Sequence, residues 1–130
     1  MVKKIVRMGD TDATGQIYFS NLQKMAVEVF EEFLDSAGYP VSKLLLEGVF
    51  LCPIVRVEAD YLAPIQICDI LEIERSLVHV GNSSFTMHYS FYKEFKRVLV
   101  GRVKITQVVI CKKTRQSLTI PEEFMKVLHS

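Results

Sequence analysis

Asp10 and Asp12 stand two apart in the run Gly9-Asp10-Thr11-Asp12-Ala13-Thr14-Gly15. Two carboxylates between two glycines describe a tight acidic loop. An amphipathic pattern begins directly after it, so the loop delivers a carboxylate to the electropositive start of a helix. Unpaired backbone N–H groups there can hold a developing oxyanion. A base or nucleophile beside an oxyanion site is the minimum equipment for acyl transfer. The sequence shows no Gly-x-Ser-x-Gly elbow or other obvious nucleophile motif. The Asp-Thr-Asp triplet is too short for an EF-hand calcium loop and lacks its closing glutamate. His79, His88 and His129 show no ligand spacing, and no metal site is expected.

The elements that must hold this loop follow from periodicity. Val2 to Met8 reads as a short strand leading into it. From Leu22 to Ala37 the apolar residues Leu22, Met25, Ala26, Val29, Phe30, Phe33, Leu34 and Ala37 are spaced by alternating threes and fours, which predicts a helix with one buried face. Glu28, Glu31, Glu32 and Asp35 take the other face. Gly38 supplies a C-terminal cap and Pro40 prevents continuation. Ser42 is the expected cap of a short second helix through Leu44, Leu45 and Leu46, ending at Gly48.

After residue 50 the texture becomes that of strands. Val55, Val57, Ala59 and Tyr61 alternate with Arg56, Glu58 and Asp60, a period of two. Pro64 interrupts. Ile70–Val80 is the next strand, and Gly81-Asn82-Ser83-Ser84 a turn. Phe85, Met87, Tyr89 and Phe91 alternate with polar partners. Glu94–Arg97 is a turn, Val98–Cys111 the longest strand, and Lys112–Ser117 a basic loop. Pro121 starts a short terminal helix ending near Leu128. The predicted order is strand, long helix, then four long antiparallel strands by meander. One apolar helix face needs one apolar sheet face, so the fold class is α+β, with an antiparallel sheet wrapped around one long central helix.

The chain's 130 residues, about half of them apolar, form one domain, 1–130, with room for a real core. A net charge of +1 gives no reason to expect nucleic acid or an anionic membrane as partner. No apolar run is long enough to span a bilayer, and the N-terminus lacks the apolar region of a signal peptide. Cys52, Cys68 and Cys111 form no Cys-x-x-Cys pair and read as free thiols of a reducing cytoplasm.

Loop and element order together resemble the hotdog fold of the 4-hydroxybenzoyl-CoA thioesterase family. The matching residues are Asp10-Thr11-Asp12-x-x-Gly15, Tyr18 and Asn21 at the helix start, and the Phe30/Phe33-Leu34 face. Tyr61-Leu62-Ala63-Pro64 with Asp69, Gly81-x-x-Ser84-Phe85 and Ile120-Pro121 match further segments, so the likeness runs through nearly the whole chain. The resemblance implies hydrolysis of acyl thioesters, usually acyl-CoA, with coenzyme A as part of the substrate and no separate cofactor. It also implies a homodimer joined edge to edge, often paired into a homotetramer, with the acyl pocket at the subunit interface against the long helix.

By the same resemblance Asp12 is the catalytic carboxylate, either attacking the thioester carbonyl or serving as general base on a water. Phe19 stands where other members place His or Tyr. Its side chain cannot donate, and its backbone N–H is the implied oxyanion donor. The Tyr18-Phe19 pair is similar to members that hydrolyse dihydroxynaphthoyl-CoA, which leans the acyl group towards an aromatic one. Gly15 belongs to the loop motif, and Tyr18 and Tyr61 are candidates to line the acyl pocket. Asn21 is expected to fix the loop through its backbone. Thr14 occupies a position where small residues are more usual. Ser83 and Ser84 lie where the family places CoA contacts, without the arginines some members carry there. That leaves an acyl carrier protein open as the thioester donor. A non-catalytic acyl-thioester-binding module is the other alternative. Arg75, Lys93, Lys96, Arg97, Arg102, Lys104, Lys112, Lys113 and Arg115 are candidate phosphate ligands.

Overall fold

A computed structural model describes residues 1–130. The chain forms β1 (Val2–Ile5), α1 (Asn21–Ser36), α2 (Val41–Leu46), β2 (Phe50–Leu51), β3 (Ile54–Tyr61), β4 (Ile70–Val80), β5 (Ser84–Lys93), β6 (Val98–Val108), β7 (Ile110–Cys111) and α3 (Glu122–Leu128). Five strands make one antiparallel sheet in the order β1-β4-β5-β6-β3, and β2 pairs with β7 in a separate ribbon. With α1 packed on one face of the sheet, this is the α+β hotdog arrangement.

Several expectations need correction. The first strand stops at Ile5, and Met8–Asp10 form a single 3-10 turn. β4, β5 and β6 are a meander, but β3 does not precede them in space. It pairs with β6 at the far edge, with Val57 opposite Ile105 and Tyr61 opposite Gly101. Alternation reports a strand's faces and is silent on its neighbours. Pro40, not Ser42, holds the N-cap position of α2. The predicted strand 98–111 breaks at the buried Val109, where the chain leaves the main sheet to pair with β2.

The buried faces meet as their periodicities require. Leu22, Met25, Ala26, Val29, Phe30 and Leu34 of α1 are buried. They lie over Leu71 and Ile73 of β4, Phe85, Met87, Tyr89 and Phe91 of β5, and Val103 and Ile105 of β6. Phe124 of α3 joins Phe85 and Phe50 in edge-on contacts with centroids 5.9 and 5.1 Å apart, a geometry that suits the ring quadrupoles. Gly38, at φ +77°, ends α1 where a side chain would be strained.

The start of α1 is seated by Gly101. A Cβ built on Gly101 would lie 2.6 Å from Leu22 Cδ2 and 3.3 Å from the Asp60 carbonyl oxygen. Absence of a side chain at this point of β6 lets the first turn of α1 lie against the sheet. Next to it, the Val100 carbonyl accepts the Leu62 N–H at 2.9 Å and the Ala63 N–H at 3.3 Å, fixing the chain as it leaves β3. The acidic loop is held from both of these elements.

Candidate active site

Residues 11–17 form a small hairpin. The Asp12 N–H donates to the Gln16 carbonyl at 2.9 Å, and the Gly15 N–H returns to the Asp12 carbonyl at 3.2 Å. Gly15 closes the turn at φ +81°, which glycine adopts without steric cost. A Cβ there would meet nothing nearer than Ile67 Cγ2 at 3.9 Å, so backbone conformation rather than space calls for glycine. The hairpin then docks on residues 65–67: the Ile17 N–H donates to the Ile65 carbonyl at 2.8 Å, and the Ile67 N–H to the Gly15 carbonyl at 2.9 Å. Asp69 holds that segment, accepting the Gln66 N–H at 2.8 Å and pairing with Lys93 Nζ at 3.3 Å.

Asp10 is a structural residue of the loop. Its Oδ2 accepts the Arg7 N–H at 2.9 Å. Its carbonyl accepts both the Tyr18 N–H and Asn21 Nδ2 at 2.8 Å. Asn21, the first residue of α1, therefore ties the helix to the acidic loop through the loop's backbone.

Asp12 is different. Its carboxylate is exposed, and one oxygen, Oδ1, takes two hydrogen bonds from Thr14: the backbone N–H at 2.8 Å and Oγ1 at 2.5 Å. Oδ2 has no partner within the chain. The Thr14 side chain first, and then its N–H, hold the Asp12 carboxyl below its ordinary range, against a small opposing effect of burial. Asp12 is thus an ionised carboxylate with one oxygen anchored and one free. The Asp-x-Thr signal for this turn is visible in the sequence, yet by sequence alone Thr14 stands out only for its size.

The hairpin brings the Asp12 strand alongside the chain entering α1. Neither the Phe19 nor the Ser20 N–H finds an acceptor in the protein. Ser20, at the N-cap position, makes no side-chain cap bond. Tyr18 and Phe19 lie ring against ring at 4.7 Å, and both remain largely exposed, at 48% and 62%. Two large aromatic side chains are thus left bare where the chain enters α1.

Other expected residues are distributed as follows. Tyr61 ends β3 opposite Gly101, at the end of the sheet where the acidic loop sits, and is partly exposed. Ser83 and Ser84 lie at the opposite end. β4 separates the two ends, and its eleven residues span about 33 Å at the usual rise per residue. A single chain does not bring these serines to Asp12. Among the cations, Arg97 is paired with Glu74 at 2.6 Å and Lys93 with Asp69. Arg75 is half-buried with its guanidinium 3.5 Å from the centre of the Phe33 ring. Lys112 donates to the Leu45 carbonyl. Lys96, Arg102, Lys104, Lys113 and Arg115 stay unpaired.

An apolar cavity of ≈ 430 Å³ opens between the second half of α1, α2 and the start of β3. Phe30, Leu34, Leu44, Leu51 and Ile54 line it, with Arg115 at its edge. Burial there pushes the Cys52 thiol up to about 12. The cavity lies at the end of β3 away from Tyr61.

Comparison with known proteins supplies the context for this geometry. The profile described as Thioesterase-like superfamily matches residues 6–128. The chain is 34% identical over 108 residues to a 1,4-dihydroxy-2-naphthoyl-CoA hydrolase of Prochlorococcus marinus subsp. pastoris, covering 79% of this chain and 72% of that protein. A hydrolase of the same name from Rippkaea orientalis is 27% identical over 128 residues, covering 98% and 93%. A crystal structure of a 1,4-dihydroxy-2-naphthoyl-CoA thioesterase from Synechocystis superposes with a TM-score of 0.92 at 22% identity, over 99% of this chain and 94% of that one, and shows the shared fold.

Proposed function

The chain belongs to the thioesterase-like superfamily and is a thioester hydrolase of the acyl-CoA class; from that premise we propose that Asp12 cleaves the CoA thioester of an aromatic acid. The observation that carries this reading is the half-anchored carboxylate: Asp12 Oδ1 is held by Thr14 while Oδ2 stands free. In the proposed route Oδ2 attacks the thioester carbon, and the carbonyl oxygen becomes an oxyanion held by the Phe19 N–H. The C–S bond breaks, and its electron pair leaves on the CoA thiolate, which is protonated by water. A second water hydrolyses the mixed anhydride, releasing the acid and restoring the Asp12 carboxylate. The depressed proton affinity of Asp12 keeps the carboxylate ionised at neutral pH, as this route requires. A thiolate is a good leaving group, so the route calls for no general acid.

The relatives' named substrate carries a fused aromatic ring. The exposed Tyr18-Phe19 pair offers the flat apolar surface such a ring would stack on. The homodimer is part of the proposal. β3 is an edge strand, and its Val57 and Tyr61 are 40% and 43% exposed. Antiparallel pairing of two β3 edges about a two-fold axis sets Ile54 of one copy near Tyr61 of the other. The acidic loop of one protomer would then face the apolar cavity of its partner. The same operation carries the partner's Ser83-Ser84 turn to the Asp12 end of the sheet, within reach of an extended CoA. No helix is long and apolar enough to cross a membrane. We place the enzyme in the cytoplasm, where its three unpaired cysteines suit the reducing conditions.

The test is release of free thiol from aryl-CoA, short-chain and long-chain acyl-CoA substrates, followed with a thiol-reactive dye and corrected for the enzyme's own cysteines. The expected result is a kcat/KM highest for the aryl thioesters. A clear preference for an aliphatic chain would overturn the aromatic assignment.

A further inference from the structure

We propose that Thr14 is a positioning residue for the reaction, fixing Asp12 Oδ1 to the loop so that Oδ2 is the oxygen presented to substrate. The inference rests on the catalytic reading of Asp12 and goes beyond it by naming the reactive oxygen and the group that selects it. Two donors from one residue converge on Oδ1, the Thr14 N–H at 2.8 Å and its hydroxyl at 2.5 Å. A carboxylate bonded through one donor alone can rotate and exchange its oxygens. Two donors, one fixed by the backbone turn, set the plane of the group. The turn is itself rigid, closed by Gly15 and docked on residues 65–67. Neither Thr14 nor Asp12 is buried, so core packing does not account for the contact.

The charged groups nearby leave this role to Thr14. Asp10 turns its carboxylate to the Arg7 N–H, and Asp69, on the docked segment, is taken up by the Gln66 N–H and Lys93. Hydrogen bonds from Thr14 lower the Asp12 proton affinity first, and the Gln16 backbone adds to them. An alanine or glycine at position 14 would keep the backbone donor and lose the hydroxyl. Thr14 therefore makes this site differ from one built on a small residue: its carboxylate is more firmly oriented and less basic.

The experiment compares wild type, Thr14→Val, Thr14→Ala, Thr14→Ser and Asp12→Asn on benzoyl-CoA, with kcat, KM and the pH profile of kcat/KM for each. Valine matches threonine in shape and lacks the hydroxyl, and alanine serves as the second variant if valine disturbs the loop. Thr14→Val and Thr14→Ala are expected to lower kcat roughly tenfold, the usual scale for losing a hydrogen bond to a charged group, with KM little changed. The acid limb of kcat/KM should move to higher pH, because the carboxylate loses a donor that favours its ionised form. Thr14→Ser should restore both. Wild-type kcat and an unmoved limb in the valine and alanine variants, with Asp12→Asn inactive, would overturn the role of Thr14 alone. A loss that serine does not rescue, with the limb unmoved, would mean a loop-folding role and would also overturn it. Full turnover by Asp12→Asn would remove the catalytic reading itself.

Discussion

At Asp12 the proton affinity is set by short local hydrogen bonds, so pH dependence reports on it directly. The folded-state value lies below the ordinary one for an aspartate, with the Thr14 hydroxyl as the largest cause. In the proposed route the ionised form is the active one, so the carboxylate would stay competent from neutral pH down to below the usual carboxylate range. The acid limb of kcat/KM on an aryl-CoA should accordingly fall there, in protein shown by circular dichroism to be folded. A limb near pH 6–7 would mean a carboxylate made more basic and would favour general-base catalysis. The same sign applies to stability: a depressed carboxylate stabilises the fold above its unfolded value and loses that contribution as pH falls through the folded one. Asp12 is exposed, and its share of stability is correspondingly slight. The turn itself was legible in the sequence, because Asp12 and Gly15 are close neighbours joined by local bonds.

At the scale of elements, the sequence announced the long strands and helices through their periods, and it missed the short β2–β7 ribbon and what holds the elements together. Gly101 illustrates the difference. Within the long apolar run 98–111 nothing marks it as the point where Leu22 meets the sheet, since the contact joins residues far apart in the chain. Gly101→Ala should destabilise the protein by about 1–3 kcal/mol, the usual cost of adding a methyl group to a filled site. Urea unfolding measures this, and an unchanged midpoint would show that Leu22 yields freely. β3 was misplaced for a related reason. Its alternation is clear, yet five of its first residues are all exposed, as befits an edge strand, and the partner it selects depends on how residues 62–69 cross the end of the sheet. Asp69 and the Val100 carbonyl hold that crossing, and both bonds lie outside any periodic pattern.

At the scale of the whole molecule, the carboxylate and the aromatic pair sit at one end of the sheet. The apolar cavity and the Ser83-Ser84 turn sit at the other. In the proposed dimer, a two-fold axis at the β3 edge would bring the two sets together. Val57 lies mid-strand on that edge, on the same face as Tyr61 and partly exposed. Val57→Lys should convert the dimer to a monomer by light scattering and reduce kcat/KM by at least roughly tenfold, since the acyl group would lose a wall. A monomeric variant with full activity would show that each chain works alone. The central claim, that Asp12 drives thioester cleavage, is tested most directly by thiol release from benzoyl-CoA by Asp12→Ala. The expected result is a kcat reduced by roughly a hundredfold or more, with an unchanged melting temperature. A folded Asp12→Ala enzyme that hydrolyses the thioester at close to the wild-type rate would contradict the account.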